Sequence, residues 1–116
     1  MSSGEESPVA IIVSLLAEES LLSEQIGYGI EEEGVPFRTH ASHEDDPTVA
    51  AHEAACDSAL RIGVGIMEEK IVLHHQRLPR NEPLFAVVDP SKSVARAIGT
   101  NAARLAKRTP LKPIET

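Results

Sequence analysis

The stretch PVAIIVSLLAEESLLSEQIGYGIEEEGVPFRT, residues 8–39, decides the fold. Pro8 introduces Val9-Ala10-Ile11-Ile12-Val13, a short β-branched run without polar alternation, which is the pattern of a central strand covered on both faces. Leu22, Ile26 and Ile30 then recur at intervals of four, laying one apolar stripe along a helix over residues 20–33. Gly34 follows, suited to the left-handed conformation that stops a helix. Val35-Pro36-Phe37-Arg38-Thr39 reads as a second short strand, and its proline favours a strand start or a sheet edge.

The rest of the chain continues the pattern. Asp46-Pro47 reads as an N-cap followed by proline in the first helical position, opening a helix from Pro47 to Ser58. Its apolar positions are mainly alanines (Ala50, Ala51, Ala54, Ala55), so the helix can approach a sheet closely while burying little area. Leu60 to Ile66 and Lys70 to His74 are apolar runs joined by Met67-Glu68-Glu69, a connection that fits a β-hairpin. Pro79 to Pro83 reads as a loop, Leu84 to Val88 as a further buried strand, and Asp89-Pro90-Ser91 as a helix start. Val94, Ile98, Ala102 and Leu105 mark the inner face of that last helix, which ends near Lys107. The order β-α-β-α-β-β-β-α predicts an α/β three-layer sandwich: a mixed, mostly parallel sheet with helices on its faces. Residues 8–116 make one domain, in keeping with a length of 116 residues. Residues 1–7, Met-Ser-Ser-Gly-Glu-Glu-Ser, are too poor in apolar groups to order themselves and read as a flexible tail.

Composition excludes several classes of function. With two Phe, one Tyr and no Trp, the chain lacks the aromatic platforms on which single-stranded nucleic acid stacks. Residues 1–57 hold 13 of the 18 Asp and Glu and one basic residue, Arg38, for a net −12, whereas residues 58–116 carry a net +5. The acidic half should repel nucleic acid and anionic membrane and attract cations or a basic protein face. No export signal is legible, and the longest apolar stretch, Val9 to Val13, is far short of a membrane span. The lone cysteine, Cys56, cannot form an internal disulfide. These features lead us to expect a soluble, cytoplasmic protein.

Glu31-Glu32-Glu33 before Gly34 is the most unusual local feature. Three carboxylates in a last helical turn face the negative end of the helix dipole and one another, so a compensating cation would be favourable. Successive helical residues point about 100° apart, so the three cannot converge on one ion. One or two could act as ligands with water and oxygens from another chain, as a hard ion such as Mg²⁺ prefers. The plainer reading of the composition is a solvated acidic helix end. The five histidines, His40, His43, His52, His74 and His75, form no zinc pattern and read as surface or loop residues. Gly63-Val64-Gly65 lies within a strand and marks a bulge or the close approach of another backbone, not a phosphate loop. Cys56 reads as a buried thiol. No catalytic motif and no cofactor-binding motif appears, so we expect a chain that is not an enzyme.

Four segments carry a family resemblance: Gly29 to Phe37, Arg61 to Ile66, Leu78 to Phe85, and Gly99-Thr100-Asn101-Ala102-Ala103-Arg104-Leu105-Ala106-Lys107. In order and spacing they resemble the small subunits of diol and glycerol dehydratase reactivating factors. The resemblance implies a non-catalytic, chaperone-like subunit that docks onto a large subunit with an actin-like ATPase domain in a hetero-oligomer. It also implies a fold similar to that of the dehydratase medium subunit, exchange with that subunit, and release of damaged cobalamin. Within the Glu-Glu segment it implies that Glu32, or alternatively Glu31, helps bind Mg²⁺ shared with the large subunit, with no ion held by this chain alone. The tail and the segment Ala41 to Asp57 fit the family pattern poorly. The alternative is a stand-alone α/β ligand-binding or regulatory domain.

Overall fold

The computed structural model describes residues 7–114. The expected tail, apart from Ser7, lies outside the described residues. Five strands and three helices follow in the expected order: β1 (Ile11–Leu15), α1 (Leu21–Glu32), β2 (Phe37–Ala41), α2 (Pro47–Asp57), β3 (Ile62–Met67), β4 (Lys70–His75), β5 (Phe85–Val88) and α3 (Lys92–Lys107). The strands form one sheet in the order β2-β1-β3-β4-β5. β1 pairs parallel with β2 and β3, while β4 pairs antiparallel with β3 and β5. The sheet is therefore mixed as expected, with its parallel share a half and not a majority.

Alternation along the central strands builds the three layers. Ile11 and Val13 of β1 and Ile62, Val64 and Ile66 of β3 face the core shared with Ile26 and Ile30 of α1 and Val94 and Ile98 of α3. The opposite face of β3 carries Gly63 and Gly65, over which α2 lies. A Cβ at Gly63 would collide with the backbone of Ala51 and Ala55, and one at Gly65 with the Pro47 carbonyl. Of the two features that glycine in a strand implies, a bulge or a close backbone approach, this is the second, and the small alanines of α2 complete it.

Helix ends follow local chemistry. Ser20 caps α1 and forms a reciprocal capping pair with Ser23, and Asp46 accepts from Thr48 N at 2.9 Å ahead of Pro47. Gly34 takes φ +75 immediately after α1, as its position requires. Three expectations change. β1 begins two residues late and Val9 is 68% exposed, because the β2 and β3 pairings begin at Ile11 and Ile12. β5 is an edge strand of alternating half-buried and exposed residues, with Val88 66% exposed, so it is not buried through its length. α2 ends at Asp57, with Ser58 as its cap.

Candidate functional site

Two glycines bring the end of α1 against α3. A Cβ at Gly29 would meet the Arg96 carbonyl and lie 2.7 Å from Thr100 N, and one at Gly99 would strike the Ile26 backbone. The two helices are thus in backbone contact, with no side chain able to fit between them at that point. The acidic run 31–33 consequently lies beside Arg96, Arg104 and Lys107 of α3.

Two of the three carboxylates, Glu32 and Glu33, are paired within the chain, unlike the solvated acidic helix end that the composition suggested. The Arg96 guanidinium donates to both oxygens of Glu32, with Nε to Oε1 at 2.9 Å. Arg96 also lies over the Tyr28 ring, 5.9 Å from its centroid. Lys107 Nζ donates to Glu33 Oε1 at 2.8 Å and to the Glu33 carbonyl at 2.9 Å, while Arg104 reaches Glu33 Oε2 at 3.4 Å. The sequence concealed this because the partners lie 64 to 74 residues away. Glu31 is exposed and has no ion-pair partner among the described residues.

These contacts set the electrostatics. The hydrogen bond from Arg96, reinforced by the charges of Arg96 and Lys112, holds the Glu32 carboxyl below its ordinary range, and Arg96 is raised in return. Glu33 is likewise lowered, first by its hydrogen bond from Lys107 and then by the Arg104 and Lys107 charges. Arg96 and Glu32 side chains are 45% and 52% exposed, so water screens the pair and its contribution to stability is small.

The specific run Gly99 to Lys107 has a structural basis. Asn101 is fully buried, donating Nδ2 to the Lys112 carbonyl at 2.8 Å and accepting from Lys112 N at 2.6 Å. It straps the chain after α3 back against that helix, and the strap carries Lys112 toward Glu32.

Known proteins share this architecture. The family described as "Dehydratase medium subunit" matches residues 7–112. The chain belongs to the dehydratase medium-subunit family. It is 45% identical over 85 residues to the propanediol dehydratase-reactivating factor small subunit of Citrobacter freundii, covering 72% of this chain and 73% of that one. It is 34% identical over 115 residues to the propanediol dehydratase-reactivating factor small subunit of Salmonella typhimurium, covering 98% of each. Among solved structures, diol dehydratase-reactivating factor complexed with ADP and Mg²⁺ matches with TM-score 0.84 and 31% identity, over 93% of this chain and 100% of that chain. A glycerol dehydratase reactivase matches with TM-score 0.85 and 28% identity, over 93% and 99%. The resemblance read from the four segments is thus borne out, and within the dehydratase medium-subunit family the chain groups with reactivating-factor small subunits.

In this member of the dehydratase medium-subunit family the other singled-out residues are dispersed. His74 is fully buried, not a surface residue, with Nε2 3.0 Å from the Arg80 carbonyl and its ring edge-on to His52. Burial lowers the His75 pKa, and the Arg77, Arg61 and His74 charges add to that. Cys56 is exposed, not buried, because it falls on the outer side of α2, with Sγ 3.9 Å from His52 Nδ1. Among the described residues no three His, Cys, Asp or Glu side chains group as a metal site. Ser14 and His40 meet at 2.6 Å across adjacent β1 and β2 positions, a pair that no sequence motif announced. They line a cavity of about 420 Å³ with His52, Glu53 and Asp57.

Proposed function

We propose that this chain is the non-catalytic small subunit of a reactivating factor for a cobalamin-dependent diol or glycerol dehydratase. It docks onto a large subunit with an actin-like ATPase domain and exchanges with the dehydratase medium subunit, opening a route for damaged cobalamin to leave. The observation that carries this reading is membership of a family described by the dehydratase medium subunit together with full-length similarity to reactivating-factor small subunits. A shared fold gives exchange its physical basis, since a chain with the medium subunit's backbone can present a surface to the same neighbours.

Docking is supported by the acidic corner, where Glu32, or Glu31, would contribute to a Mg²⁺ site completed by the large subunit. The donor chemistry fits: carboxylate oxygens suit a hard divalent ion, and Arg96 shows that Glu32 accepts a cation across both oxygens. A bound ion would supply a charge bridge between two chains that neither completes alone.

Co-purification with the large subunit, with and without chelator, tests both parts. The expected result is a complex whose stability falls on chelation, and loss of that sensitivity in Glu32→Gln. No complex at all would sink the docking reading. A complex indifferent to chelator and to Glu32→Gln would sink the metal reading alone.

A further inference from the structure

β2 is an outer strand of the sheet, and four of its five residues are exposed. Ile11 N donates to the Pro36 carbonyl, and Ser42 N to the Leu15 carbonyl. The N–H and C=O of one strand residue point the same way, so even-numbered residues of β2 face β1. The backbone groups of Phe37, Thr39 and Ala41 therefore point away from the sheet, and among the described residues nothing bonds to them. Native edges are usually blunted by shortness, proline, a bulge or a covering element. β5 fits that rule, being four residues long and flanked by Pro83 and Pro90. β2 has its proline only before the strand begins.

The ground beside this edge is asymmetric in charge. Phe37 and Thr39 face α1 and line a cavity of about 210 Å³ together with Glu19, Glu24, Tyr28 and Glu31. None of those three carboxylates has an ion-pair partner among the described residues. Arg38 and His40 project from the opposite face of the strand, where His40 meets Ser14. A strand added about 4.8 Å beyond β2 would alternate its side chains between these two faces. Those on the α1 side would meet carboxylates, and those on the α2 side would meet Arg38 and His40.

The geometry points to β2 as the acceptor of an added strand: an extended segment of the large subunit, carrying Lys or Arg at alternate positions, pairs with Phe37, Thr39 and Ala41 and lays its basic side chains against α1. This rests on the proposed role as a reactivating-factor small subunit, and Glu31 makes the groove continuous with the acidic corner proposed for docking. A second copy of this chain is the wrong occupant. Two β2 edges paired about a two-fold axis normal to the sheet would set α1 face beside α1 face, bringing like carboxylates together. Main-chain hydrogen bonds supply affinity in such strand addition, and the alternating charges fix register and face.

Hydrogen exchange on the chain alone and in complex with the purified large subunit tests the assignment. Expected are rapid exchange at Phe37, Thr39 and Ala41 in the free chain and slowing by about tenfold or more in the complex. Charge reversal at the exposed Glu19 and Glu24 (Glu19→Lys with Glu24→Lys) leaves the fold intact and weakens association by about tenfold or more, most clearly at low ionic strength. Thr39→Pro, which removes an outward N–H, should abolish the protection while the exchange of the β1 and β3 amides reports that the sheet is intact. A complex that forms without protection of these three amides overturns the inference and leaves the proposed function standing. Absence of any complex overturns both, and protection in the free chain that rises with its concentration identifies self-pairing instead.

Discussion

Replacing Gly29 with alanine tests whether α1 and α3 touch backbone to backbone. In a helix interior alanine is favoured over glycine by about 1 kcal/mol, so propensity alone predicts stabilisation. Space predicts the reverse. The new methyl would lie 2.7 Å from Thr100 N and 3.1 Å from the Gly99 carbonyl carbon, and closer still to the Arg96 carbonyl. These atoms are backbone in a helix packed on the core, so relief requires moving α3 and cannot come from a side-chain rotation. Overpacking costs about 1–3 kcal/mol, and rigid backbone neighbours place this site at the upper end. Subtracting the propensity gain leaves a net loss of about 2 kcal/mol. With a urea m-value of about 1.5 kcal/mol/M, the unfolding midpoint should fall by about 1.3 M, and Tm by about 8–10 °C. Gly34→Ala is the control, since nothing lies within 4 Å and only its φ of +75 opposes the methyl. Equal or greater stability of Gly29→Ala in the denaturant titration would refute the close crossing.

Asn101→Ala removes both ties to Lys112 and should destabilise by about 1–3 kcal/mol; unchanged exchange protection of the Lys112 amide would show that the strap is held by something else. Cys56 is exposed, so an aromatic disulfide reagent should titrate one thiol per native chain without denaturant, and a thiol that reacts only after unfolding would contradict its placement. Glu32 and Glu33 have carboxyl pKa values held below the ordinary 4.5 by their hydrogen bonds from Arg96 and Lys107. A lowered folded pKa gives stability present above the unfolded value and lost as pH falls through the folded one. Their contribution should therefore fade only below about pH 4.5, with carboxyl NMR midpoints below that value that rise in Arg96→Gln for Glu32 and Lys107→Gln for Glu33. Midpoints unmoved by these variants would mean the ion pairs do not persist in solution.

The fold was legible because its decisive signals are local. Residues 8–39 show a buried run, an i, i+4 stripe and a stop glycine, and the Asp46-Pro47 and Asp89-Pro90-Ser91 starts need only a few adjacent residues. Gly63 and Gly65 could be read as a bulge or a close backbone approach because a strand gives up a packing side chain at a cost, and the backbone of α2 above both glycines decides for the second. What escaped was whatever depends on distant partners. No pattern in Glu31-Glu32-Glu33 announces Arg96, Arg104 and Lys107, and nothing in His74-His75 tells which imidazole turns beneath α2. Alternation does show that the two must differ in face, but choosing the buried one requires the register Gly63↔His74, in which a glycine makes room for the ring. The exposure of Cys56 depends on the angular placement of a helix whose alanines define its inner face only weakly. β5 looked buried because its composition matches β1, while its place in the strand order leaves one edge without a neighbour.

The acidic corner also separates its two candidate ligands by what each must give up. Glu32 has both oxygens engaged by Arg96, so a divalent ion bound there replaces one cation with another and must displace the guanidinium. Glu31 has no such partner among the described residues, and an ion bound there displaces only water. The two residues point about 100° apart, which makes them alternatives more than companions for a single ion. Arg96→Gln distinguishes them. If Glu32 is the ligand, freeing its carboxylate should lower the Mg²⁺ concentration needed for half-maximal association with the large subunit, by about two- to fivefold for an exposed pair. If Glu31 is the ligand, the same variant should leave that midpoint in place while Glu31→Gln raises it. A midpoint that shifts in neither variant would remove both carboxylates from the ion's coordination.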